Sequence, residues 1–280
     1  SDHQTIDAVC FGVAGPVITN NSAKTASITN LPWQISSVDL ANKFNIQHVA
    51  LINDFQTIGY GISALHDDDL VTLQAGNPID HANQLIVGAG TGLGVAQLFW
   101  TGNEYKISPT EAGHTDFAAT DELQLELSHY LIKKCGRCSV EFIVSGPGLV
   151  NIFEFLAQRS QQFETDSCQA IIHSPDPAAV IAEVAEADPN SIANQAMELF
   201  VSAYASQAGN FALSSLALNG VYMAGGIAPK ILHLLQSGVF MDTFNAKGKM
   251  SHLMRNIPVK VITNAEVGLI GSRVYAQRLT

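Results

Sequence analysis

Apolar runs with no polar alternation recur along the chain, separated by stretches whose apolar positions repeat every three to four residues. The run Ala-Val-Cys-Phe-Gly-Val at residues 8–13 and the run at 49–52 read as buried parallel strands, since a strand covered on both faces has no polar side to present. Residues 24–30 read as a short extended piece. A helix capped by Ser36 or Ser37 runs to about Phe44, with Val38, Leu40, Ala41 and Phe44 at helical spacing. The strand at 49–52 ends at Asn53-Asp54, and 55–65 reads as a helix despite Gly59 and Gly61. Further helices are predicted over 121–134, from the Ser145 region to about Arg159, and in a patch among Pro175, Pro177 and Pro189. A long helix is predicted over 191–218, broken locally at Gly209, its apolar positions Ala196, Leu199, Phe200, Ala203 and Tyr204 recurring at three and four. A short strand at 220–223 delivers the turn Ala224-Gly225-Gly226-Ile227-Ala228-Pro229, which opens a helix to Leu235. A last strand at 259–262 leads through Thr263-Asn264 into a C-terminal helix with Gly268 and Gly271 on one edge. Strands alternating with helices place the chain in the α/β class.

The chain is organised around residues 85–97, Leu-Ile-Val-Gly-Ala-Gly-Thr-Gly-Leu-Gly-Val-Ala-Gln, where an apolar strand enters a glycine turn and a second apolar strand leaves it. Glycines let a bulky anion approach the backbone, and amides turned inward at such a bend form an anion nest without any lysine. A phosphate-cradling hairpin and a ligand-free glycine hairpin both fit this stretch. A dinucleotide fingerprint does not: counted from Gly88 the sixth position is Leu93, and from Gly90 it is Val95. A Walker loop is excluded because no lysine follows, and because the turn opens a strand rather than a helix.

The chain has 280 residues, 47% of them hydrophobic, enough for one large or two medium domains. A net charge of −11 with only 14 Lys+Arg leaves no basic stripe, which argues against nucleic acid and anionic membrane surfaces as partners. Glycine-loop amides and Mg²⁺ can still bring a nucleotide to an acidic protein. No stretch approaches a transmembrane span, and Ser1-Asp2-His3-Gln4 lacks the basic and apolar regions of a signal peptide, so a cytoplasmic chain is expected. Cys10, Cys135, Cys138 and Cys168 fit a reducing compartment.

Three other places carry candidate chemistry. Asp54 falls at a strand's carboxyl end and a helix's amino end, where open α/β sheets place ligands; an N-cap role explains it equally well locally. Residues 108–117 hold Glu111, His114 and Asp116, which suit metal binding, recognition of a hydroxylated ligand, or simply a solvated loop; no His-Glu-x-x-His pattern is present. Cys135-Gly136-Arg137-Cys138 lacks the second cysteine pair of a four-cysteine zinc site, leaving structural cysteines as the default and no metal ligand assigned. Asp67-Asp68-Asp69 reads as a solvated acidic turn.

These pieces together resemble the bacterial glucokinases of the hexokinase/actin-like superfamily, along essentially the whole chain and in order: Ile52-Asn53-Asp54-Phe55, Gly88-Ala89-Gly90-Thr91-Gly92-Leu93-Gly94, Glu111 with Gly113-His114, Ser145-Gly146-Pro147-Gly148-Leu149, and Ala224-Gly225-Gly226-Ile227-Ala228-Pro229. The resemblance implies a two-domain actin-like, ribonuclease H-like α/β fold, each domain a mixed sheet with flanking helices. It implies transfer of a phosphoryl group from Mg·ATP to the 6-hydroxyl of glucose, with closure of two domains keeping water out. Asp54 looks like the catalytic base. Asn30 and Asn53 would hold sugar hydroxyls, with Glu111, His114 and Glu141 completing the cage. Gly88, Gly90, Thr91 and Gly92 would hold ATP phosphates, and Gly225 and Gly226 would let the adenosine lie against the backbone. The related ROK sugar kinases carry a zinc-binding cysteine cluster near the equivalent glutamate; the spacing of Cys135 and Cys138 does not match it, so zinc is not carried over.

On this reading a small domain takes residues 1–64 plus 264–280, and a large domain takes 65–263. The family begins with an Asp-Gly-Gly-Thr phosphate loop that this sequence does not contain. Two expectations follow: little or no kinase activity from the 280-residue chain, and an unpaired edge at Val9, Phe11, Val49 and Leu51. A non-catalytic sugar sensor on the same scaffold, or a kinase for another hexose, is the alternative. A homodimer is the default assembly.

Overall fold

The structure, a computed structural model, describes residues 6–20, 23–28 and 31–280. The strands, in chain order, are β1 (Ala8–Val13), β2 (Val17–Asn20), β3 (Ala23–Ser27), β4 (Gln34–Ser36), β5 (His48–Asn53), β6 (Leu70–Gln74), β7 (Gln84–Ala89), β8 (Leu93–Trp100), β9 (Tyr105–Thr110), β10 (Gly220–Ala224) and β11 (Val259–Ile262). The chain forms two compact units. One holds the described residues up to Val71 with Ala96–Thr110 and Ile262–Thr280; the other holds Thr72–Val95 and Glu111–Val261.

In the first unit β1 and β5 run parallel, from Ala8 opposite His48 to Val13 opposite Asn53, as a two-stranded sheet. A separate antiparallel sheet joins β2, β3 and β4. The Ser37–Phe44 helix begins where expected, with the Ser36 hydroxyl accepting the Asp39 N–H. The Asp54–Ile62 helix packs on the C-terminal Val267–Ala276 helix, and glycines make the contact possible. A Cβ added at Gly271 would lie 1.7 Å from the Thr57 carbonyl oxygen, and one at Gly61 would lie 2.3 Å from that of Val267. Cys10, Ala50 and Ile52 form a small core under Tyr60 and Tyr275, whose rings meet edge to face at 4.9 Å.

In the second unit the strands are ordered β6-β11-β10-β7-β8. β10 lies parallel to both β7 and β11, with Ala224 opposite Gly88 and Met223 opposite Val261. Every residue of β7 is buried. The Gly146–Arg159 and Ile192–Ser215 helices supply the large side chains of the core, Phe153, Phe200 and Tyr204, joined by Phe240 and Phe244 from the Val239–Asn245 helix.

Several expectations need correction. The long helix is continuous at Gly209. That glycine is instead a contact point: an added Cβ would lie 2.8 Å from the Phe244 carbonyl oxygen and 2.6 Å from Lys247 Cε. The helix after the second glycine turn is two pieces, Ile227–Lys230 and Leu232–Leu235. Ser108–Thr110, read as loop, is the end of β9; Pro109 hides the strand pattern but is tolerated in a strand at the sheet's edge. Asp69 is more than a solvated turn residue: its carboxylate accepts the His66 N–H and the Asn264 amide, which hold it below the usual carboxylate range, and its carbonyl accepts the Thr263 N–H.

Candidate functional site

Asp54 is the first residue of its helix, and the cap is Asn53. The Asn53 side-chain oxygen accepts the Phe55 N–H at 2.9 Å, while Gln56 Oε1 accepts the Asn53 N–H at 3.1 Å, a reciprocal pair that satisfies two donors at the helix start. Asn53 Nδ2 donates to the Gly15 carbonyl at 3.3 Å, and Gln56 Nε2 donates to the Ile107 carbonyl at 3.2 Å. The helix start is thereby tied to the turn after β1 and to β9. Asp54 Oδ1 also accepts the Phe55 N–H, at 3.0 Å. Asn30, expected beside these residues, lies outside the described residues.

In the second unit the two glycine turns leave adjacent parallel strands. Gly225, at φ +80°, packs so closely that an added Cβ would lie 2.4 Å from the Ala89 carbonyl oxygen. In the first turn Gly90 N–H donates to Gly92 O at 2.9 Å, and Gly90 O accepts the Gly146 N–H at 2.8 Å. A Cβ at Gly90 or Gly226 would meet nothing within 4 Å, so both glycines face open space, and Thr91 is exposed at the crest.

Glu111, His114 and Glu141 come together in this same unit. The Ala112–His114 turn is held by His114 N–H donating to Glu111 O, and Gly113 O accepts the Glu141 N–H at 2.9 Å. His114 Nε2 lies 3.8 Å from Glu111 Oε2, and its Nδ1 lies 3.8 Å from Glu141 Oε1. Those separations are too long for hydrogen bonds, so the three side chains converge without consuming one another's polar atoms. Glu141 is the most enclosed, its side chain 25% exposed against 58% for His114 and 77% for Glu111. Its second oxygen, Oε2, accepts the Leu93 N–H at 2.8 Å.

The Ser145-Gly146-Pro147-Gly148 motif builds this corner. The Ser145 hydroxyl donates to Glu141 O and accepts the Gly148 N–H, capping the Gly146–Arg159 helix. Sequence reasoning missed Gln56 and the Leu93 amide as supports. The first was readable, because Asn53-x-x-Gln56 is a capping-box spacing. The second was not, since no local pattern reveals a side chain reaching across 48 positions. Cys135 and Cys138 are both free thiols; burial pushes the Cys138 thiol up, away from the thiolate that binds metals or attacks. Among the described residues no group of three His, Cys, Asp or Glu could hold a metal ion, and no helix is long and apolar enough to cross a membrane.

The family model for glucokinase matches residues 1–279. The glucokinase of Nostoc sp. (strain PCC 7120) is 42% identical over 286 residues, covering 98% of this chain and 82% of the relative. That of Synechocystis sp. (strain PCC 6803) is 44% identical over 287 residues, covering 97% and 79%. A crystal structure of glucokinase from an Antarctic psychrotroph superposes with a TM-score of 0.83 at 29% identity, over 96% of this chain and 80% of that one. The glucokinase of Balamuthia mandrillaris in complex with glucose shares the fold, with a TM-score of 0.81 at 20% identity over 97% and 78%. The actin-like α/β fold expected from the sequence is the fold of these neighbours. Family model and relatives agree over nearly the whole sequence, and on that agreement the chain belongs to the glucokinase family, sugar kinases that phosphorylate glucose with ATP.

Proposed function

We propose that Asp54 is the general base for phosphorylation of the glucose 6-hydroxyl, and that Asn30, Asn53, Glu111, His114 and Glu141 hold the remaining sugar hydroxyls. The observation that carries the reading is the convergence of Glu111, His114 and Glu141 without mutual hydrogen bonds. A carboxylate accepts several hydrogen bonds and an imidazole nitrogen donates or accepts, the combination a ring of hydroxyls requires.

As the sugar oxygen attacks the γ-phosphorus, the new O–P bond forms, the bond to the β,γ-bridging oxygen breaks, and Asp54 takes the hydroxyl proton. ADP carries the leaving charge. The transition state is loose, so positioning and charge neutralisation do most of the work. The turn through Gly88, Gly90 and Gly92, with the Thr91 hydroxyl, is the seat proposed for the phosphates; the open faces of Gly90 and Gly226 support a ligand at the two turns, with adenosine against Gly225 and Gly226. Mg²⁺ would enter with the nucleotide, held chiefly by phosphate oxygens and water, and would offset charge on the phosphates. A cytoplasmic location and a homodimer complete the proposal. Four free cysteines, as a reducing compartment keeps them, support the first, and the frequency of two-fold assemblies supports the second.

The test is a calorimetric titration with D-glucose beside Glu111→Ala and His114→Ala. Saturable binding, weakened about tenfold or more in each variant, is the expected result; each lost hydrogen bond to a charged group is worth about 1.5–3 kcal/mol. Unchanged glucose affinity in folded variants would remove these residues from the sugar site.

A further inference from the structure

We propose that Glu141 is a two-sided positioning residue: one carboxylate oxygen serves the sugar, the other sets the nucleotide turn, so the two substrates are energetically coupled through a single side chain. The proposal rests on the assignment of Glu141 to the sugar cage and adds a role that assignment does not contain.

The geometry divides the carboxylate cleanly. Oε1 faces His114 Nδ1 at 3.8 Å, on the side of the sugar cluster. Oε2 accepts the Leu93 N–H at 2.8 Å, where the glycine turn re-enters β8. The fit against the turn is tight. A Cβ at Gly92 would lie 2.6 Å from Oε2, so a methyl group there would push this carboxylate from its place. Gly113, beside His114, closes the loop: its missing Cβ would lie 2.2 Å from the Leu93 carbonyl oxygen, and its own carbonyl accepts the Glu141 N–H. Leu93 is therefore held at its N–H by Glu141, with its carbonyl packed close against the backbone at Gly113. The opposite end of the turn is anchored through Gly90 O and the N–H of Gly146, the second residue of the motif that begins at Ser145. A carboxylate drawn toward sugar hydroxyls on one oxygen shifts the amide held on the other. Such coupling is reciprocal: whatever factor glucose contributes to nucleotide affinity, the nucleotide contributes to glucose affinity.

The test measures dissociation constants for D-glucose and for the non-hydrolysable nucleotide AMPPNP with Mg²⁺, each with and without the other, in the wild type, Glu141→Ala, Glu141→Gln and Gly92→Ala. The wild type is expected to show coupling of about tenfold in both directions. Glu141→Ala is expected to weaken glucose and, with no sugar present, AMPPNP as well, each by about tenfold, because one residue serves both. Glu141→Gln keeps one acceptor oxygen for the Leu93 N–H, so it should restore sugar-free AMPPNP affinity but not glucose affinity, a split that general loss of structure does not produce. Gly92→Ala, whose methyl group reaches Oε2, should weaken glucose about fivefold although Gly92 is assigned to the phosphates. Loss of glucose affinity in Glu141→Ala with sugar-free AMPPNP affinity intact, or glucose affinity unmoved by Gly92→Ala, would overturn the coupling while leaving the sugar assignment standing. Unchanged glucose affinity in folded Glu141→Ala would overturn both. Should Glu141→Ala fail to fold, Glu141→Gln and Gly92→Ala decide the matter.

Discussion

Asp54 and Glu141 are carboxylates assigned to one reaction, yet the chain holds them by different means. Asp54 stands at the end of a strand in a two-stranded sheet, on a helix whose orientation comes from a reciprocal cap and from a glycine-lined contact with the C-terminal helix. Glu141 stands in a unit whose central strand, β7, is buried at every position; each carboxylate accepts a backbone N–H, but Asp54 takes that of its own neighbour Phe55 while Glu141 takes that of Leu93, 48 positions away. The base is thus oriented by a few replaceable contacts at a helix terminus, whereas the sugar-side glutamate is clamped by a packed sheet and two glycines. A proton acceptor needs one oxygen correctly aimed; a residue that links two ligands needs a rigid frame for the link to transmit anything.

The largest expected effect separates those roles kinetically. Asp54→Asn removes the proton acceptor but keeps the side chain's shape, so kcat should fall about 10²–10⁴-fold. Glucose affinity by calorimetry should change far less, as for a group that acts in the transition state. Glu141→Gln should show the opposite split, with glucose affinity falling more than kcat at saturation. A kcat for Asp54→Asn within about threefold of wild type would remove Asp54 as the base.

Next come the glycines that set the two frames. Gly271→Ala places a methyl 1.7 Å from the Thr57 carbonyl oxygen, and Gly113→Ala places one 2.2 Å from that of Leu93. Backbone atoms cannot swing aside as a side chain can, so each variant should lose about 1–3 kcal/mol, read as a lower denaturation midpoint. Their functional signatures should differ. Gly271→Ala tilts the helix that begins at Asp54 and should depress kcat, whereas Gly113→Ala disturbs His114, Glu141 and Leu93 together and should raise the glucose KM. The same signature from both would mean that the two frames are not separate.

The second unit was the more legible in the sequence, for physical reasons. Its apolar runs at 85–87 and 220–223 carry no polar alternation because β7 and β10 are covered on both faces, and the glycine spacing at 88–94 announces the turn between β7 and β8 directly. The helices predicted from Asp121, the Ser145 region and Ser191 start there, each held by a local hydrogen bond to that side chain. What failed was whatever depends on distant partners. Gly209 looked like a helix breaker because its close neighbours, Phe244 and Lys247, lie far along the chain. The strand β9 was lost to Pro109, and β6 to the polar Thr72 and Gln74 that interrupt its apolar run beside the acidic turn. At the site the polar residue types were readable, while the link from Glu141 to the Leu93 amide was not, since a carboxylate looks the same in sequence whether it faces a ligand or a backbone N–H.

The smallest expected effect probes the support of Asp54 alone. Gln56→Ala changes no residue assigned to a ligand and leaves the Asn53 side chain in place, yet removes the acceptor for the Asn53 N–H and the donor to the Ile107 carbonyl. Loss of such a cap partner should cost about 1 kcal/mol in chemical denaturation. The Asn53 oxygen still holds the Phe55 N–H, so the helix should still start at Asp54. The kcat should therefore fall only a few-fold, with glucose affinity unchanged, because a loosened base is misaimed for part of the time rather than absent. A loss as large as that of Asp54→Asn would instead mean that the capping pair, and not the carboxylate's own chemistry, limits the reaction. No loss at all would mean that the contact with the C-terminal helix suffices to aim Asp54, leaving Gly271 as the more informative position to disturb.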